Sequence, residues 1–195
     1  MKVSPFKKGD AVLILGGGPI GIAVMLALQA RGADKIIVSE VSRKRQEYAR
    51  AFGAHHILDP TQEDVVERCR ELCDGQGVHL VFDCAGVQAA LDAAVEATRA
   101  RGTIVNVAIW EKPCTITPNA FTFRERKYMG VATFQVGDFQ EVIVSVSRPV
   151  PSEASSTRFL NCKMERCPWN FSKGPSCLAR THTSTGRHRR KHAEA

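Results

Sequence analysis

Three glycines interrupt an apolar stretch near the start of the chain, in the segment VLILGGGPIGIAV, residues 12 to 24. Gly16, Gly18 and Gly21 have the spacing G-x-G-x-x-G, which in a strand-to-helix turn allows a tight turn, close backbone approach to a pyrophosphate and close helix packing. Pro19 suits the first helical turn because the N–H it lacks would be unpaired there. The pattern predicts a dinucleotide-binding turn, and the alternative is a glycine-rich turn that binds nothing.

An acidic residue follows at the distance that such a turn requires. The second predicted strand, Ile36 to Ser39, ends in Glu40, where a carboxylate accepts hydrogen bonds from the adenosine ribose hydroxyls. Its negative charge would repel a 2′-phosphate, which favours NAD over NADP. The basic residues 43–45 are predicted on the exposed start of the next helix. They could tolerate a 2′-phosphate if their side chains turned inward. The alternative is a solvated residue at a strand end. As a ribose ligand, Glu40 is expected to matter for NADH binding and little for the melting temperature.

Helical and extended patterns alternate along the first 143 residues. Strands are predicted at 12–15, 36–39, 55–59, 78–86, 102–110 and 127–134. The helices between them include one that stops at Gly32, one that runs from 43 and ends at Gly53, one at 61–75 capped by Thr61 and one at 87–102, and a further helix begins at Val136. This alternation implies right-handed crossovers and a parallel sheet covered on both faces. We therefore predict an α/β fold, the doubly wound six-stranded parallel sheet of the Rossmann type, with its ligand at the carboxyl ends of the strands.

Composition limits the class of protein. The chain has 195 residues, is 44% hydrophobic and has no apolar run near the roughly 18 residues that a membrane-spanning helix needs. The segment MKVSPFKKGD lacks the apolar core of a signal peptide. We expect a cytoplasmic protein without membrane partners, in which the 7 cysteines form no disulfide framework.

Charge divides the chain into two parts. Residues 1–143 carry 17 basic and 17 acidic side chains, whereas residues 144–195 carry 10 of the 27 basic and 3 of the 20 acidic ones. This second part is rich in Ser, Thr, Pro and Arg without sustained periodicity, which predicts a disordered basic tail. Its cysteines and histidines do not have zinc-finger spacing, so neither a specific zinc site nor specific nucleic-acid binding is favoured. Weak attraction of GRHRRKH to polyanions is more credible.

Further candidate residues stand where the later strands end. The fourth strand is followed by Asp83, Cys84, Ala85 and Gly86, and the small residues there leave room for a ligand to cross. The fifth strand ends in Val107, Ala108 and Ile109, whose main-chain groups are available to a ligand. Cys84 is interpreted as a packed small side chain, since no base is positioned to activate it. The histidines 55, 56 and 79 lie near strand starts and are interpreted as structural or solvated.

Three segments resemble the cofactor-binding domain of zinc-dependent medium-chain alcohol dehydrogenases, most closely the (R,R)-2,3-butanediol dehydrogenases. They are GDAVLILGGGPIGIAVMLALQARGADKIIVSE, FDCAGVQAALDAA and RGTIVNVAIWEKP with FRERKYMG, and the resemblance covers roughly residues 3–143. It implies an NAD cofactor and hydride transfer with a secondary alcohol carbon, with zinc as Lewis acid. It also implies the roles of individual residues: Gly16, Gly18, Pro19, Ile20 and Gly21 on the pyrophosphate, Glu40 on the adenosine ribose, Arg45 beside the adenine, Cys84, Ala85 and Gly86 bordering the cofactor, and Val107, Ala108 and Ile109 near the nicotinamide.

The resemblance also implies what this chain lacks. The zinc ligands and proton relay of the family lie in an N-terminal domain that should precede SPFKKGD, so we expect neither catalytic nor metal-binding residues here, zinc only in a full-length member, and an alcohol or diol substrate only where the catalytic domain is present. Homo-oligomerisation is compatible with the resemblance. The resemblance stops after residue 143, which is typical of a truncated isoform or a frameshift. The first hypothesis is therefore the NAD domain of a butanediol-type dehydrogenase, inactive alone; the alternative is a non-catalytic dinucleotide-binding remnant or a partner-binding isoform.

Overall fold

The computed structural model of the protein describes residues 4–132, in which strands and helices alternate. The elements are β1 (Ala11–Leu15), α1 (Pro19–Gln29), β2 (Lys35–Ser39), α2 (Arg43–Ala51), β3 (His56–Leu58), α3 (Val65–Leu72), β4 (Val78–Asp83), α4 (Gln88–Ala97), β5 (Thr98–Asn106), α5 (Pro118–Thr122) and β6 (Lys127–Gly130). The predicted helix from Val136, the domain boundary at residue 143 and the basic tail lie outside the described residues.

The six strands form one parallel sheet in the order β3-β2-β1-β4-β5-β6. The chain moves outward from β1 to β3 and then returns to place β4 beside β1, so the strand order reverses at this pair. In doubly wound sheets a dinucleotide binds in the crevice outside the strand ends at that point. The predicted fold class is confirmed.

The pairing register brings the carboxyl ends of four strands to one level. Leu15 at the end of β1 pairs with Ser39 of β2 and with Asp83 of β4, and Asp83 in turn pairs with Asn106 of β5. The residues that follow these four positions therefore meet along one edge of the sheet. This edge is where the sequence places its candidate cofactor residues.

The core consists of two apolar layers, one on each face of the sheet. Successive strand side chains point to opposite faces, so Leu13 joins one cluster and Ile14 the other, and both are fully buried. The first layer includes residues of α3 and α4, and the second includes residues of α1 and α2. Burial on both faces explains why the strand sequences are continuous apolar runs rather than alternating ones.

The structure corrects the predicted start of α3. Asp64, not Thr61, is its N-cap, and the Asp64 carboxylate accepts hydrogen bonds from the N–H groups of Val66 and Glu67 at 2.8 and 3.1 Å. Thr61 is instead held by Asp59, which accepts from both its N–H and its hydroxyl. The carboxylate of Asp64 stands directly before the apolar helix and satisfies two amides that the first turn leaves unpaired.

Strand β5 differs most from the prediction. Helix α4 ends at Ala97, not Gly102, and β5 begins directly at Thr98; Val78 pairs with Thr98 but Leu80 pairs with Thr103, so an irregular segment separates the two parts of the strand. Arg101 within it has a φ of 61°, a conformation that breaks a regular ladder. The apolar residues Ile104 and Val105 indicated a strand, but the register shift depends on pairing with β4.

Several other strands and helices end at residues that differ from the predicted ones. Strands β4 and β5 end at Asp83 and Asn106, several residues before the predicted ends at 86 and 110, and β3 and β6 are also shorter than predicted. Helix α2 ends at Ala51, two residues before the predicted end at Gly53, and the short helix α5 was not predicted. The stop of α1 is confirmed, because the N–H groups of Gly32 and Ala33 bond back to Gln29 and Leu28.

Candidate functional site

The glycine loop joins β1 to α1 at the strand-order reversal. Gly16 has a φ of 95°, a left-handed conformation that favours glycine, and its N–H donates to the Ser39 carbonyl at 2.8 Å. A Cβ at Gly21 would lie 1.9 Å from the Gly16 carbonyl oxygen, so the helix packs against the turn more closely than alanine permits. A Cβ at Gly18 would have no atom within 4 Å and would project into open space. Gly16 is therefore required for the turn and Gly21 for the close packing of the helix. The open space beside Gly18 leaves room for a ligand.

Helix α1 presents its N-terminus at this loop. Gly18 is the N-cap, Pro19 is the first helical residue, and the Ile20 side chain is half exposed. Within residues 4–132, no acceptor receives a hydrogen bond from the N–H groups of Gly18, Ile20 and Gly21, as expected at a helix start without a side-chain cap. Unpaired amides and the positive end of the helix dipole attract an anion.

Glu40 is buried beside the loop, with 3% of its surface exposed. Its Oε2 accepts a hydrogen bond from the Gly17 N–H at 2.7 Å and its Oε1 accepts one from the Ser42 N–H at 2.8 Å. The alternative of a solvated strand-end residue is therefore wrong. One carboxylate connects the glycine loop to the start of α2, an arrangement that the sequence analysis missed because it considered Glu40 only as a ligand.

The basic residues after Glu40 occupy the first turn of α2, as predicted. Arg43 is 93% exposed and lies 4.0 Å from Glu47, one helical turn ahead. Arg45 is half exposed and its guanidinium lies 3.8 Å from Glu40 Oε2. Arg45 therefore stands beside the buried Glu40, and a positive charge lies next to the acidic one.

The loop after β4 is organised by Asp83, which is fully buried. Asp83 Oδ1 accepts hydrogen bonds from the N–H groups of Ala85 and Gly86 at 2.9 and 3.0 Å. The Cys84 N–H donates to the Leu15 carbonyl at 2.9 Å, and Gly16 packs against the Cys84 main chain. Cys84, Ala85 and Gly86 thus border the glycine loop.

The loop after β5 contacts the loop after β4. The N–H groups of Val107 and Ala108 donate to the Asp83 main-chain carbonyl at 2.9 and 3.0 Å. A Cβ at Gly86 would lie 3.0 Å from Ala108 Cβ, while the Ile109 side chain is 91% exposed. All the predicted site residues consequently lie along the carboxyl edge of the sheet. The sequence analysis placed Asp83 at this edge without giving it a role, and it missed Asn106, although a polar residue at the end of a buried apolar strand is a readable signal.

The Cys84 thiol is not poised for reaction. Burial raises its pKa to about 12, and the neighbouring Asp83 charge acts in the same direction. At neutral pH the thiol therefore stays protonated, and the thiolate is the nucleophilic form. The interpretation of Cys84 as a packed small side chain is confirmed.

The histidines named by the sequence analysis serve the amino ends of the strands. His55 Nδ1 accepts from the Ile36 N–H and His79 Nδ1 accepts from the Ala11 N–H, both at 3.1 Å. Burial and the charge of Arg99 lower the pKa of His79, and burial and His55 lower that of His56. His55 and His79 thus satisfy strand amides far from the carboxyl edge, which confirms their structural interpretation.

Residues 4–132 contain neither a metal-binding cluster nor a membrane-spanning helix. Among residues 4–132, no group of three or more His, Cys, Asp or Glu side chains is arranged to hold a metal ion. In the same part of the chain, no helix is long and apolar enough to cross a membrane. The alternative zinc ligands of the tail lie outside these residues.

Comparison with known proteins identifies the same architecture elsewhere. An (R,R)-butanediol dehydrogenase of Neisseria gonorrhoeae is 38% identical over 129 residues, 66% of this chain and 36% of that protein. The solved structure of 2R,3R-butanediol dehydrogenase from Bacillus subtilis matches with a TM-score of 0.69 at 34% identity, covering 76% of this chain and 43% of that one. A zinc-binding dehydrogenase from Sinorhizobium meliloti, solved with NADP bound, matches with a TM-score of 0.68 at 27% identity, covering 75% of this chain and 44% of that one.

The matched region covers most of the described domain. The chain spans about a third of the length of the Neisseria relative. Residues 19–148 match the zinc-binding dehydrogenase family model, and the doubly wound sheet with its glycine loop has the architecture expected of a dinucleotide-binding domain. The chain belongs to the zinc-binding dehydrogenase family and carries a dinucleotide-binding domain that resembles that of butanediol dehydrogenases.

Proposed function

We propose that the domain binds NAD(H) as the cofactor-binding part of an oxidoreductase acting on secondary alcohols or vicinal diols. The observation that carries the proposal is the buried Glu40 carboxylate, held at 2.7 Å from the Gly17 amide at the point where the strand order reverses. A carboxylate at the carboxyl end of β2 is placed to accept hydrogen bonds from the adenosine ribose hydroxyls. The names of the butanediol dehydrogenase relatives support the substrate class.

The residues along the carboxyl edge of the sheet suit the pyrophosphate, adenosine and nicotinamide parts of NAD(H). The open space over Gly18 and the unpaired amides of Ile20 and Gly21 suit a pyrophosphate, whose charge the helix N-terminus favours. Glu40 and Arg45 lie on the β2 side and suit the adenosine half. The loops at 84–86 and 107–109 lie on the β4 and β5 side and suit the nicotinamide half, because each half of the doubly wound sheet receives one mononucleotide.

The preference for NAD over NADP follows from the charge of Glu40. A 2′-phosphate at that ribose would place two like charges together in a buried pocket, which disfavours binding. Arg45, 3.8 Å from Glu40, is the cation that would pair with the phosphate if the acid were absent. Because the Sinorhizobium relative was solved with NADP bound, the preference of this chain for NAD over NADP requires a direct measurement.

Turnover is a separate proposal from binding. The bound nicotinamide would supply hydride acceptance from an alcohol carbon, while this domain binds and orients the dinucleotide. The zinc that the family implies does not fit the described residues, which contain no suitable ligand group. We propose that the chain alone binds NADH but does not turn over 2,3-butanediol, and that residues 1–143 form the domain. Reduction of NAD with the diol in the presence of the purified chain would contradict this.

The identity of the cofactor is tested by changing Glu40 to Ser. We expect wild type to bind NADH more tightly than NADPH, and Glu40→Ser to narrow that preference because it removes the repelling charge and leaves Arg45 to attract the phosphate. Calorimetric titration with both nucleotides measures the ratio, and Glu47→Ser on exposed α2 is the matched control. An unchanged ratio in a folded Glu40→Ser variant would contradict the role of Glu40. Absence of NADH binding by wild type would favour the partner-binding alternative.

A further inference from the structure

Asp83 and Asn106 close neighbouring strands and face each other in the pairing register of β4 and β5. Both are polar residues at the end of buried apolar runs, and both side chains bond forward into the loops that follow. We propose that Asp83 and Asn106 act as paired positioning residues that set the spacing of these two loops in the nicotinamide half of the cleft. The inference rests on the proposed binding of NAD(H).

Asp83 controls the first loop through its carboxylate and reaches the second through its main chain. Oδ1 accepts from two consecutive amides, Ala85 and Gly86, and the main-chain carbonyl accepts from Val107 and Ala108. The second carboxylate oxygen, Oδ2, is buried and accepts no hydrogen bond from described residues. Since burying an unpaired carboxylate oxygen is unfavourable, the bonds to the loop explain why an acid is accommodated here.

Asn106 controls the second loop from its other side. Its Nδ2 donates to the Ala108 carbonyl at 3.1 Å, and its Oδ1 accepts from the Trp110 indole N–H at 3.0 Å. Both main-chain groups of Ala108 are thus hydrogen-bonded: its N–H donates to the Asp83 carbonyl, and its carbonyl accepts from the Asn106 side chain. The exposed Ile109 follows this doubly held residue.

The two loops also approach each other closely at Gly86 and Ala108, and this approach couples the pair. At Gly86, a Cβ would approach Ala108 Cβ to 3.0 Å and the Ile109 carbonyl oxygen to 3.3 Å. Loss of the Asp83 side-chain hydrogen bonds displaces Gly86, and loss of the Asn106 side-chain hydrogen bonds displaces Ala108. Either loss therefore alters the distance between Gly86 and Ala108. Neither side chain contacts the glycine loop or Glu40 through a hydrogen bond in the described structure.

This separation predicts a selective effect on ligand binding. In the proposed binding mode the glycine loop and Glu40 serve the ADP-ribose part of NAD(H), whereas Gly86 and Ala108, where the two loops meet, serve the nicotinamide part. Loss of a positioning residue should therefore weaken NADH and spare ADP-ribose. A merely structural role would weaken both ligands together or change only the melting temperature.

The experiment compares NADH with ADP-ribose by calorimetry on the full chain. We expect Asp83→Ala and Asn106→Ala each to raise the dissociation constant for NADH about tenfold and to leave that for ADP-ribose within about twofold, as for loss of one or two hydrogen bonds. Asp83→Asn retains an acceptor for Ala85 and Gly86 and should restore the wild-type ratio. Gln88→Ala is the control, because it removes a glutamine that makes two bonds to the Thr115 main chain.

Each outcome bears on the proposal. If Asn106→Ala does not fold, Trp110→Phe replaces the indole, and with it the N–H donor to Asn106 Oδ1, by a smaller ring without a donor, and should give a smaller loss for NADH alone. Parallel losses for the two ligands, or an unchanged ratio in both alanine variants, overturn the positioning role while leaving NAD(H) binding intact. Failure of wild type to bind NADH and ADP-ribose overturns the proposed function and this inference with it.

Discussion

Glu40 has a structural role that is independent of any ligand. Its carboxylate is buried and accepts the Gly17 and Ser42 amides, so it ties the glycine loop and the start of α2 to the tip of β2. Buried donors that lose their acceptor pay a desolvation penalty. The sequence-based expectation that Glu40 matters only for the ligand is therefore incomplete.

We expect Glu40→Ala to lower the free energy of unfolding by about 1–3 kcal/mol, because two amides lose a charged acceptor, and to weaken NADH binding by about 1.5–3 kcal/mol. Urea denaturation and calorimetric titration at constant pH measure the two quantities. Glu47→Ala, whose side chain is 62% exposed, is the control and should change neither. A variant with wild-type stability would show that the Gly17 and Ser42 amides find other partners.

The cysteines should differ sharply in reactivity. Burial raises the pKa of Cys69 and of Cys84 to about 12, whereas Cys114 is exposed. We expect iodoacetamide at pH 8 to alkylate Cys114 well before Cys69 or Cys84, since only a thiolate reacts and only an accessible one is reached. Peptide mass mapping over time reports the order. Early modification of Cys84 in the folded protein would contradict its assignment as a packed residue.

At the scale of elements, the turn between β1 and α1 separates packing from ligand approach. Gly21 supports packing, because a Cβ there would meet the Gly16 carbonyl, whereas Gly18 faces open space. The two glycines belong to one motif yet have different physical reasons for lacking a side chain. This difference makes a matched pair of substitutions informative.

We expect Gly21→Ala to lower the free energy of unfolding by about 1–3 kcal/mol or more, because the added methyl forces α1 away from the loop. Gly18→Ala should leave stability nearly unchanged and weaken NADH binding, since its methyl occupies the space proposed for the pyrophosphate. Thermal denaturation and NADH titration of both variants test the contrast. Equal stability losses would mean that Gly18 is also packed, and full NADH affinity in Gly18→Ala would place the pyrophosphate elsewhere.

At the scale of the whole molecule, formal charge distinguishes residues 1–143 from residues 144–195. Residues 1–143 are balanced in formal charge, and the net charge of +7 arises from residues 144–195. Clustered basic residues attract polyanions without sequence specificity, and the attraction weakens as salt rises. Any polyanion binding by this chain should therefore be separable from dinucleotide binding.

We expect the full chain to be retained on heparin at low salt and a chain ending at residue 143 to pass through, because the truncated chain has no net basic charge. Retention should fall steeply as salt rises. NADH titration of both chains is the control and should give similar affinities. Equal retention of the two chains would assign polyanion binding to residues 1–143, and loss of NADH binding on truncation would place the domain boundary later.

The local pattern determined the elements and most of the candidate site. Apolar runs, their separation by helical segments and the spacing of Gly16, Gly18 and Gly21 were enough to predict a doubly wound sheet and the edge where its ligand lies, because period and turn chemistry are local properties. Only the tertiary structure decided what depends on distant partners: the burial of Glu40 against Gly17, the irregular start of β5 opposite β4, and the pairing of Asp83 with Asn106. Register and burial arise from contacts between segments far apart in the chain, and a linear pattern does not specify which polar side chain meets which amide.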